Sequence, residues 1–581
     1  CFIRYDSSKD LILFVTAPNA ASDGEEEILD VINPKDIIGA NLELFFSGAD
    51  FAADEAGRGV GFRNKKSSKL QSLMDKHDDG DDDSDDVKDA DPANDGSSIS
   101  CTDIFNALQD DVERIFTCKS GNSSSADNCT NMDTGDIPFD SQAVAYLNIY
   151  CYPQRRPSQE GWLSYCGMSS FKPPIRCPEI PPPIEDDEKL GNRYAQHRRL
   201  EVVAGRDFSH IQALVKGIRS VAKLGQFQMS TSGAVSHPSK YLVLVNPKGG
   251  TGKAESIYYC TVEPMLEQAG VEHDLCITTH ARHAEERVKE IGTGGTDKDL
   301  GDYDGLICLG GDGILHEVLQ GVKARKDANE IFNRLKIGIV GCGTSNGLAM
   351  SLLHESGEQY GALDSTFLIC KGQTVPMDLS HYSSQNKEYT SFLTFSWAFI
   401  ADVDIESESI RWLGRLRNEV WSAWRAVWLR KYKARFSYLP PSKVADYKTK
   451  GITTMPPLSD DIPADDWVTI EDDFILFWAA HVSHASYTTY NSPASKMQDG
   501  VFQIMVIRPP ISKYQLIKLL LGIETGAHVN NPHNEFFECV AYRLEPISSG
   551  SFNDLDGEVI ESGPIQGHVL PASMHTFCGK S

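Results

Sequence analysis

The chain has 581 residues, which is enough for about four compact domains at roughly 150 residues each. Its formal net charge of −27 disfavours general binding to nucleic acid or to an anionic membrane, so any polyanionic partner has to be met by a local basic patch. Apolar runs such as Phe474–Ala480 are far shorter than the about 20 residues of a membrane-spanning helix. The 14 cysteines include no Cys-x-x-Cys pair, so we expect reduced, buried thiols rather than a disulfide framework or a zinc site.

The N-terminal third mixes strand patterns with long polar segments. The chain opens on Cys1 rather than Met, which indicates a truncated start. Strands rich in β-branched, aromatic and Leu residues are predicted at Leu11–Val15, Leu42–Phe46 and Val144–Tyr150. Asp207 is expected to cap a helix with apolar residues at helical spacing. We therefore predict a small mixed domain formed by residues 1–72 and 140–225.

Two polar segments interrupt this N-terminal domain. Residues 73–139 are acidic and Ser-rich, with eleven Asp and two Lys between Asp75 and Asp95. Such a composition predicts a disordered, solvated insert, with a regulatory acidic tail as the alternative. Residues 173–190 are rich in Pro and acidic residues and are predicted to form a loop.

From Tyr241 onward, strands alternate with helices, which predicts a parallel sheet covered by helices. The parallel strands are predicted at Tyr241–Val245, Asp274–Thr278, Gly305–Leu309 and Lys336–Val340. Beyond about Thr374 strands follow one another, most clearly at Phe474–Ala480, Val501–Ile507, Phe536–Leu544 and Gly557–Ile560. We predict an α/β protein with a doubly wound parallel-sheet nucleotide lobe over residues 238–375. A largely antiparallel β lobe with a returning C-terminal segment is expected over residues 376–578.

Three Gly-containing turns follow three of the predicted parallel strands. They are Asn246–Lys253, Gly310–Gly313 and Gly343–Asn346. Backbone amides and a helix N-terminus at such turns can bind a phosphate chain. Each turn alone is also explained by tight turn formation without a ligand, and Asp312 by simple helix capping. The three turns together favour a nucleotide site.

The three turns in this order resemble those of the diacylglycerol kinase catalytic domain superfamily. They read Asn-Pro-x-Gly-Gly-x-Gly-Lys, Gly-Gly-Asp-Gly and Gly-Thr-x-Asn-x-Leu-Ala. Within this superfamily, the segment from Phe399 to Gly414 looks like the sphingosine kinase signature, and so do the shorter motifs at 542–546, 556–558 and 566–567. The resemblance extends from about Tyr241 to Ala572. Ser345 departs from it, because the family usually has Gly there.

The resemblance implies an ATP- and Mg²⁺-dependent kinase that phosphorylates the primary hydroxyl of sphingosine and related sphingoid bases. It implies that Asp312 is the general base or orienting acceptor for that hydroxyl. Asp404, with Phe399 and Ile400, is implied to bind the lipid, and its carboxylate to pair with the ammonium and the secondary hydroxyl. The residues implied to bind ATP are Asn246, Lys248, Gly249, Gly250, Gly252, Thr278, Gly310, Gly311, Gly313, Thr344, Arg411, Arg417, Asp556, Gly557 and Glu558. Asp556 and Glu558 are also implied to complete the Mg²⁺ site.

The residues around Asp404 agree with two of these roles. Four acids, at positions 402, 404, 406 and 408, are followed by eight Lys and Arg residues against one Glu between Arg411 and Arg435. This excess of +7 is the local basic patch that the net charge requires. Trp412, Trp421, Trp424 and Trp428 lie among these cations at helical spacing. Core packing is the favoured interpretation of the Trp residues, and an acyl-chain wall or membrane-surface contact is the alternative.

Ceramide kinase, diacylglycerol kinase and a non-catalytic lipid-binding protein are the rival functions. The acidic segment favours a substrate with a free amine, because an amide does not call for an acidic partner. We expect a cytoplasmic enzyme that associates peripherally with membranes and has no nucleic acid partner. The N-terminal domain is similar to the pleckstrin-homology-like modules of lipid kinases.

Overall fold

The computed structural model describes residues 144–154, 193–203 and 239–579, apart from 251, 292–298, 344–345 and 453–454. It also describes four strands before residue 46 and the isolated positions Val215 and Ile218. Both positions are helical and buried, and they fall within the helix predicted after Asp207. The predicted insert at 73–139 and the predicted loop at 173–190 lie outside the described residues.

Strands and helices alternate in the middle of the chain and give way to successive strands toward the C-terminus. In chain order the strands are β1 Phe2–Asp6, β2 Leu11–Val15, β3 Ile28–Ile32, β4 Ile37–Phe45, β5 Val144–Cys151, β6 Gln196–Val203, β7 Lys240–Val245, β8 Glu272–Ile277, β9 Gly305–Gly310, β10 Lys336–Gly341, β11 Thr374–Ser383, β12 Glu388–Ser391, β13 Thr394–Ala398, β14 Tyr432–Leu439, β15 Val468–Phe474, β16 Leu476–Ala480, β17 Phe502–Ile507, β18 Glu535–Cys539, β19 Ala541–Pro546, β20 Asn553–Leu555, β21 Glu558–Ile560 and β22 Ile565–Phe577. The α-helices are α1 Ala254–Ile257, α2 Glu263–Gln268, α3 His283–Glu290, α4 Asp312–Lys323, α5 Ala328–Arg334, α6 Gly347–Glu355, α7 Ala362–Lys371, α8 Phe399–Ser407, α9 Arg417–Val427, α10 Tyr447–Lys450 and α11 Lys513–Leu521. A π-helical turn, Tyr258–Val262, joins α1 to α2, and 3₁₀ segments lie at Leu300–Asp302, Glu408–Leu416, Pro441–Lys443 and Ala527–Asn530.

The largest sheet has ten strands and contains both parallel and antiparallel parts. Its main path runs β15-β14-β19-β22-β10-β9-β7-β8, with β11 beside β22 and β12 beside β11. β8, β7, β9 and β10 are parallel neighbours, as the alternation of elements predicted. The C-terminal strand β22 pairs parallel with β10 and antiparallel with β11 and β19. The predicted antiparallel lobe is therefore not built on a wholly separate sheet, because β22 joins several of its strands to the parallel ones.

Helices cover both faces of the parallel strands. Successive strand residues point to opposite faces, so Leu242 packs with α3 and α4 while Val243 packs with α1 and α2. All residues of β9 are buried, which explains its continuous apolar run. Because both faces are covered, the carboxyl ends of these strands are where the connecting turns can line a site.

A second, antiparallel sheet has the order β18-β17-β16-β13-β20-β21. The single strand predicted at Phe536–Leu544 was wrong, since β18 belongs to this sheet and β19 to the large one. Cys539 pairs with Phe502, whereas Ala541 pairs with His568, and the chain changes sheets at Val540. Cys539, Val540 and Ala541 are all buried and apolar, so no polar residue marks the crossing in the sequence.

Candidate active site

The turns after β7, β9 and β10 meet at the carboxyl edge of the parallel strands. The Asn246 amide donates to the Leu309 carbonyl at 3.0 Å. Gly250 has φ +60°, and a Cβ atom placed on it would stand 2.6 Å from the Cα atom of Gly343. A side chain at Gly250 would therefore be strained and would also collide with the neighbouring turn. These contacts bring together the turns that sequence motifs had only placed in order.

The first turn presents its polar groups at this edge. The Lys248 amide donates to Asn246 Oδ1 at 3.1 Å, which closes the turn locally. Lys248 is exposed, while Thr278, which follows β8, is buried with its amide bonded to the Val245 carbonyl at 2.8 Å. Gly249 and Gly252 lie in the same turn. The predicted ligand residue Thr344 lies outside the described residues.

Asp312 is buried, with 4% of its surface exposed, at the start of α4. Its carboxylate does not cap α4, whose N-cap is Gly311. Instead, it accepts backbone hydrogen bonds from the first turn of α6, from Gly347 at 2.6 Å and Leu348 at 3.3 Å. Burial raises the pKa of Asp312 to about 7, with the charge of Asp556 adding to the rise and the two hydrogen bonds opposing it. A carboxylate with such a pKa is suited to accept a proton near neutral pH.

Asp556 is held beside Asp312 by a dense set of donors. Its Oδ1 accepts hydrogen bonds from Ser391 Oγ at 2.7 Å, Leu393 N at 3.1 Å and Thr394 N at 3.2 Å. Its Oδ2 lies 3.2 Å from Nδ1 of His316. Burial of His316 opposes its protonation, but the hydrogen bond and charge of Asp556 prevail and raise its pKa. Asp556 and Asp312 are thus linked electrostatically across the edge of the sheet.

The residues after Asp556 return over the Gly-Gly-Asp-Gly turn. Gly557 has φ +83°, a conformation that favours glycine. Glu558 is exposed, and a Cβ atom placed on Gly313 would stand 4.0 Å from Glu558 Oε1. The C-terminal motif and the Asp312 turn are therefore neighbours in space, although more than two hundred residues separate them.

The four acids of the segment after β13 have different surroundings. Asp402 is buried and accepts hydrogen bonds from Tyr432 Oη at 2.8 and 3.0 Å. Glu406 binds the Arg425 guanidinium and accepts a 3.0 Å bond from Trp421 Nε1. Partial burial opposes ionisation of Glu406, but these hydrogen bonds lower its pKa. Asp402 and Glu406 are therefore engaged in holding α8 to the elements around it.

Asp404 differs from its neighbours because its carboxylate receives no hydrogen bond from the residues that the structure describes. Glu408 is bound by Arg417. Burial raises the pKa of Asp404; the nearby Arg417 charge opposes this rise, and the Glu408 and Glu558 carboxylates add to it. Asp404 also interacts electrostatically with Asp554. Asp404 therefore lies near the carboxylates of Asp554 and Glu558. It is the one acid of this segment whose carboxylate receives no hydrogen bond from the described part of the chain.

The other predicted ligands lie along the same segment. Phe399 begins α8 and is buried, and Ile400 is half-buried beside the apolar cluster that includes Val403 and Leu516. Arg411 lies in the 3₁₀ segment after α8, and its side chain is outside the described part of the structure.

The chain is similar to known proteins over this whole region. The diacylglycerol kinase catalytic domain family matches residues 240–382, and the YegS C-terminal NAD kinase beta sandwich-like domain matches residues 464–578. Sphingosine kinase 1 of Rattus norvegicus is 32% identical over 365 residues, which cover 60% of this chain and 93% of that protein. The chain belongs to the sphingosine kinase family.

Other members of the sphingosine kinase family have similar sequence identities to this chain. Sphingosine kinase 1 of Homo sapiens is 32% identical over 58% of this chain and 91% of its own length, and sphingosine kinase 2 of Arabidopsis thaliana is 32% identical over 59% and 72%. A putative diacylglycerol kinase structure from Bacillus anthracis aligns with a TM-score of 0.43 and 17% identity over 59% of this chain and 98% of that chain.

The Trp residues near the site do not all follow the interpretation favoured from their spacing. Trp421 is half-buried, but Trp412, Trp424 and Trp428 are exposed by 81%, 51% and 55%. Core packing was therefore the wrong interpretation for these three. The segment is also not one continuous α-helix, since the 3₁₀ segment Glu408–Leu416 precedes α9. None of the described helices is both long enough and apolar enough to cross a membrane.

Sequence analysis missed two residues that interact with predicted site residues in the structure. His316 comes four residues after Asp312 on one helix, a spacing that puts both on the same face. Asp554 comes two residues before Asp556, at the centre of β20, and Asp556 begins the turn that follows this strand. Both spacings were available in the sequence, but neither residue belongs to the motifs that carried the resemblance.

Proposed function

We propose that this chain transfers the γ-phosphoryl group of ATP to the primary hydroxyl of sphingosine or a related sphingoid base. The observation that carries the proposal is the hydrogen bonding of the four side-chain carboxylates in the acidic segment. Those of Asp402, Glu406 and Glu408 are bound by other residues, whereas the carboxylate of Asp404 receives no hydrogen bond from the described residues. A partly buried carboxylate in that state is suited to bind a cation, and a sphingoid base has an ammonium group next to its reactive hydroxymethyl group. Membership of the sphingosine kinase family supports the same substrate class.

Asp312 accepts the proton of the primary hydroxyl. As the substrate oxygen forms its bond to the γ-phosphorus, the bond between that phosphorus and the bridging oxygen of ADP breaks. The proton passes to the Asp312 carboxylate, which the amides of Gly347 and Leu348 hold in place. Its raised pKa supports this role, because a base with a pKa near the working pH accepts a proton most effectively.

ATP binds along the carboxyl edge of the parallel strands. The turn amides and glycines cradle the phosphates, and Arg411 and Arg417 supply planar donors to the triphosphate. The remaining nucleotide contacts are assigned to Asn246, Lys248, Gly249, Gly250, Gly252, Thr278, Gly310, Gly311, Gly313, Thr344, Asp556 and Gly557. The close approach of Gly250 to Gly343 supports this assignment, because it joins two of the turns into one surface.

Mg²⁺ is assigned to Glu558, together with Asp556. In the described part of the chain, no group of three or more His, Cys, Asp or Glu residues forms a metal site by itself. This fits Mg²⁺, which is usually held by one or two carboxylates together with substrate phosphates and water. Glu558 is exposed beside the Asp312 turn and is the better placed of the two, since both oxygens of Asp556 already have protein partners. The ion would neutralise charge on the phosphates.

Asp404 pairs with the ammonium group and the secondary hydroxyl of the base, and Phe399 and Ile400 contribute apolar surface next to it. This arrangement favours a free amine over the amide of a ceramide, because only the amine has a positive charge to offer. Diacylglycerol has no nitrogen at this position and gains nothing from Asp404.

The exposed aromatic residues of α9 form a surface for the membrane in which the substrate resides. Trp424 and Trp428 stack with ring centroids 3.9 Å apart, and α9 packs against α11, which exposes Tyr514 and Leu521. Trp at a lipid interface is favourable because its ring is amphipathic. We propose a cytoplasmic location, and this surface supports peripheral association with a membrane.

The domain organisation is proposed with the boundaries predicted from the sequence, including a pleckstrin-homology-like N-terminal domain. Antiparallel pairing of β4 with β5 and of β5 with β6 supports a small β domain there. Residues of this region contact the catalytic part, since Arg193 forms an ion pair with Glu358 at 2.6 Å.

A competition assay tests the proposed function. Purified protein receives radiolabelled ATP with Mg²⁺ and an equimolar mixture of sphingosine, dihydrosphingosine, phytosphingosine, ceramide and diacylglycerol in mixed micelles. We expect label only in the three free-amine lipids. Label mainly in ceramide or diacylglycerol would replace the proposal with one of those kinases, and no label in any lipid would favour a non-catalytic lipid-binding role.

A further inference from the structure

Asp554 is a buried acid that no motif assigns. It is the central residue of the short strand β20 and pairs with Ser396 of β13. Ser396 Oγ donates to Asp554 Oδ2 at 2.6 Å. Only 6% of the residue is exposed, and its other oxygen, Oδ1, has no hydrogen-bond partner among the described residues.

An unpartnered carboxylate oxygen at this depth is unfavourable, because burial removes its water without supplying a donor. The surroundings increase this cost. Asp404, Asp556 and Glu558 all interact electrostatically with Asp554, so their negative charges add to the cost of burying its carboxylate. The site thus concentrates carboxylates that a bound cation would stabilise.

Asp554 and Asp404 reach this place from adjoining elements. β13 carries Ser396, the donor to Asp554, and continues directly into α8, which carries Asp404 in its second turn. Asp404 has no hydrogen bond to its carboxylate from the described residues either. Two carboxylates with unused acceptor capacity therefore interact electrostatically with each other and with Glu558, whose carboxylate lies beside Gly313 in the turn of Asp312.

We propose that Asp554 is a second recognition residue for the sphingoid base, and that its Oδ1 accepts a hydrogen bond from the ammonium group or the neighbouring secondary hydroxyl while Asp404 takes the other donor. This inference rests on the proposed function. Ser396 acts as a positioning residue, because its hydroxyl fixes Oδ2 and thereby directs Oδ1.

The chemistry of the ligand explains why two acids are useful. A sphingoid head group offers an ammonium group and a hydroxyl on adjacent carbon atoms, so it can satisfy two acceptors at once. An N-acylated lipid keeps the hydroxyl but replaces the ammonium group by a neutral amide N–H, so it brings no positive charge to the two buried carboxylates. A ligand that leaves a buried polar group of its site without a hydrogen bond binds poorly. A site with buried polar groups therefore rejects such a ligand much more strongly than an apolar pocket does. Asp554 therefore favours free amines beyond what Asp404 achieves alone.

The test is the kinetics of Asp554→Asn with sphingosine and ATP varied separately. Asn keeps the size and an acceptor for Ser396 but removes the charge and places an amide in the site. We expect KM for sphingosine to rise about tenfold or more, while KM for ATP changes by less than about twofold. Asp402→Asn is the matched control, because Asp402 is a buried acid of the same region whose carboxylate is satisfied by Tyr432. It should leave the ratio of the two KM values unchanged, even where it lowers thermal stability.

Wild-type activity separates this inference from the proposed function. If wild-type protein phosphorylates no sphingoid base, the proposed function fails first. If it does so and Asp554→Asn retains the wild-type KM for sphingosine, or raises both KM values equally, the role of Asp554 is refuted. Should Asp554→Asn not fold, Ser396→Ala takes its place: we expect a selective rise of about threefold in KM for sphingosine, and an unchanged value overturns the inference.

Discussion

The backbone amide of Gly347, at the start of α6, donates a 2.6 Å hydrogen bond to Oδ2 of Asp312, at the start of α4. The turn after β10 thus fixes the carboxylate that the turn after β9 presents. An acid held by two amides of another helix has a defined direction, and burial places its pKa at about 7 rather than in the usual acidic range. The two hydrogen bonds therefore set the position of the proposed base, whereas burial raises its pKa against their effect.

Asp312→Asn should reduce phosphoryl transfer by at least about a hundredfold while leaving ATP affinity within about threefold of wild type. The amide cannot take the hydroxyl proton, whereas the turns that cradle the phosphates remain. Single-turnover phosphorylation of sphingosine measures the first quantity, and equilibrium binding of a labelled ATP analogue measures the second. Wild-type turnover in this variant would remove Asp312 from the reaction.

The pH dependence of kcat/KM for sphingosine should show an acidic limb governed by Asp312. The carboxylate has to be ionised to accept a proton, and its ionised fraction rises as pH passes the pKa of about 7. Activity at saturating ATP should therefore fall toward about tenfold per pH unit below that value. Initial rates measured from about pH 5 to 8 check this expectation, and a flat profile over that range contradicts the role of a base with a raised pKa.

Asp404→Asn should raise KM for sphingosine by about tenfold or more and change KM for ATP far less. The reason is the loss of the charge that pairs with the ammonium group. Steady-state kinetics with each substrate varied in turn give both constants. Equal effects on the two substrates would mean that Asp404 does not contact the lipid.

Gly250→Ala should lower the free energy of unfolding by about 2–4 kcal/mol and raise KM for ATP. The alanine would be strained in the left-handed backbone conformation at this position, and its Cβ atom would stand only 2.6 Å from Gly343 Cα. Gly270→Ala is the matched control, because Gly270 has φ +65° but no described atom within 4 Å of where its Cβ atom would stand. It should cost only about 1 kcal/mol, so similar losses in urea unfolding of both variants would rule out close packing of the two turns as the cause.

Replacing Trp424 and Trp428 together by Ala should weaken binding to lipid vesicles by about tenfold, since two exposed aromatic side chains lose their contact with the interface. Sedimentation with phosphatidylcholine vesicles containing phosphatidylserine measures the change. Ile547→Ala serves as the control, because Ile547 is 53% exposed but lies outside α9 and α11. If the double variant binds vesicles as wild type does, the α9 surface is not the membrane contact.

The sequence by itself determined the local features of this protein, namely its main strands, helices and turns. Alternation of apolar strands and amphipathic helices predicted the parallel sheet, because burial on both faces of a strand leaves a continuous apolar run in the sequence. The three Gly-containing turns predicted the edge of that sheet where the strands end, because turn geometry depends on neighbouring residues. The spaced motifs from Tyr241 to Ala572 also identified the sphingosine kinase family before any contact was known.

Only the tertiary structure decided which of the four acids after β13 is left unpaired within the described residues, because the partners Tyr432, Arg425 and Arg417 come from other elements. It likewise decided that β22 joins the parallel strands and that Asp554 lies next to Asp404. Helical spacing favoured a core position for Trp424 and Trp428, yet they are exposed. The hydrogen-bond partners and the exposure of a side chain depend on residues that are distant in the chain. A local sequence pattern therefore does not predict them.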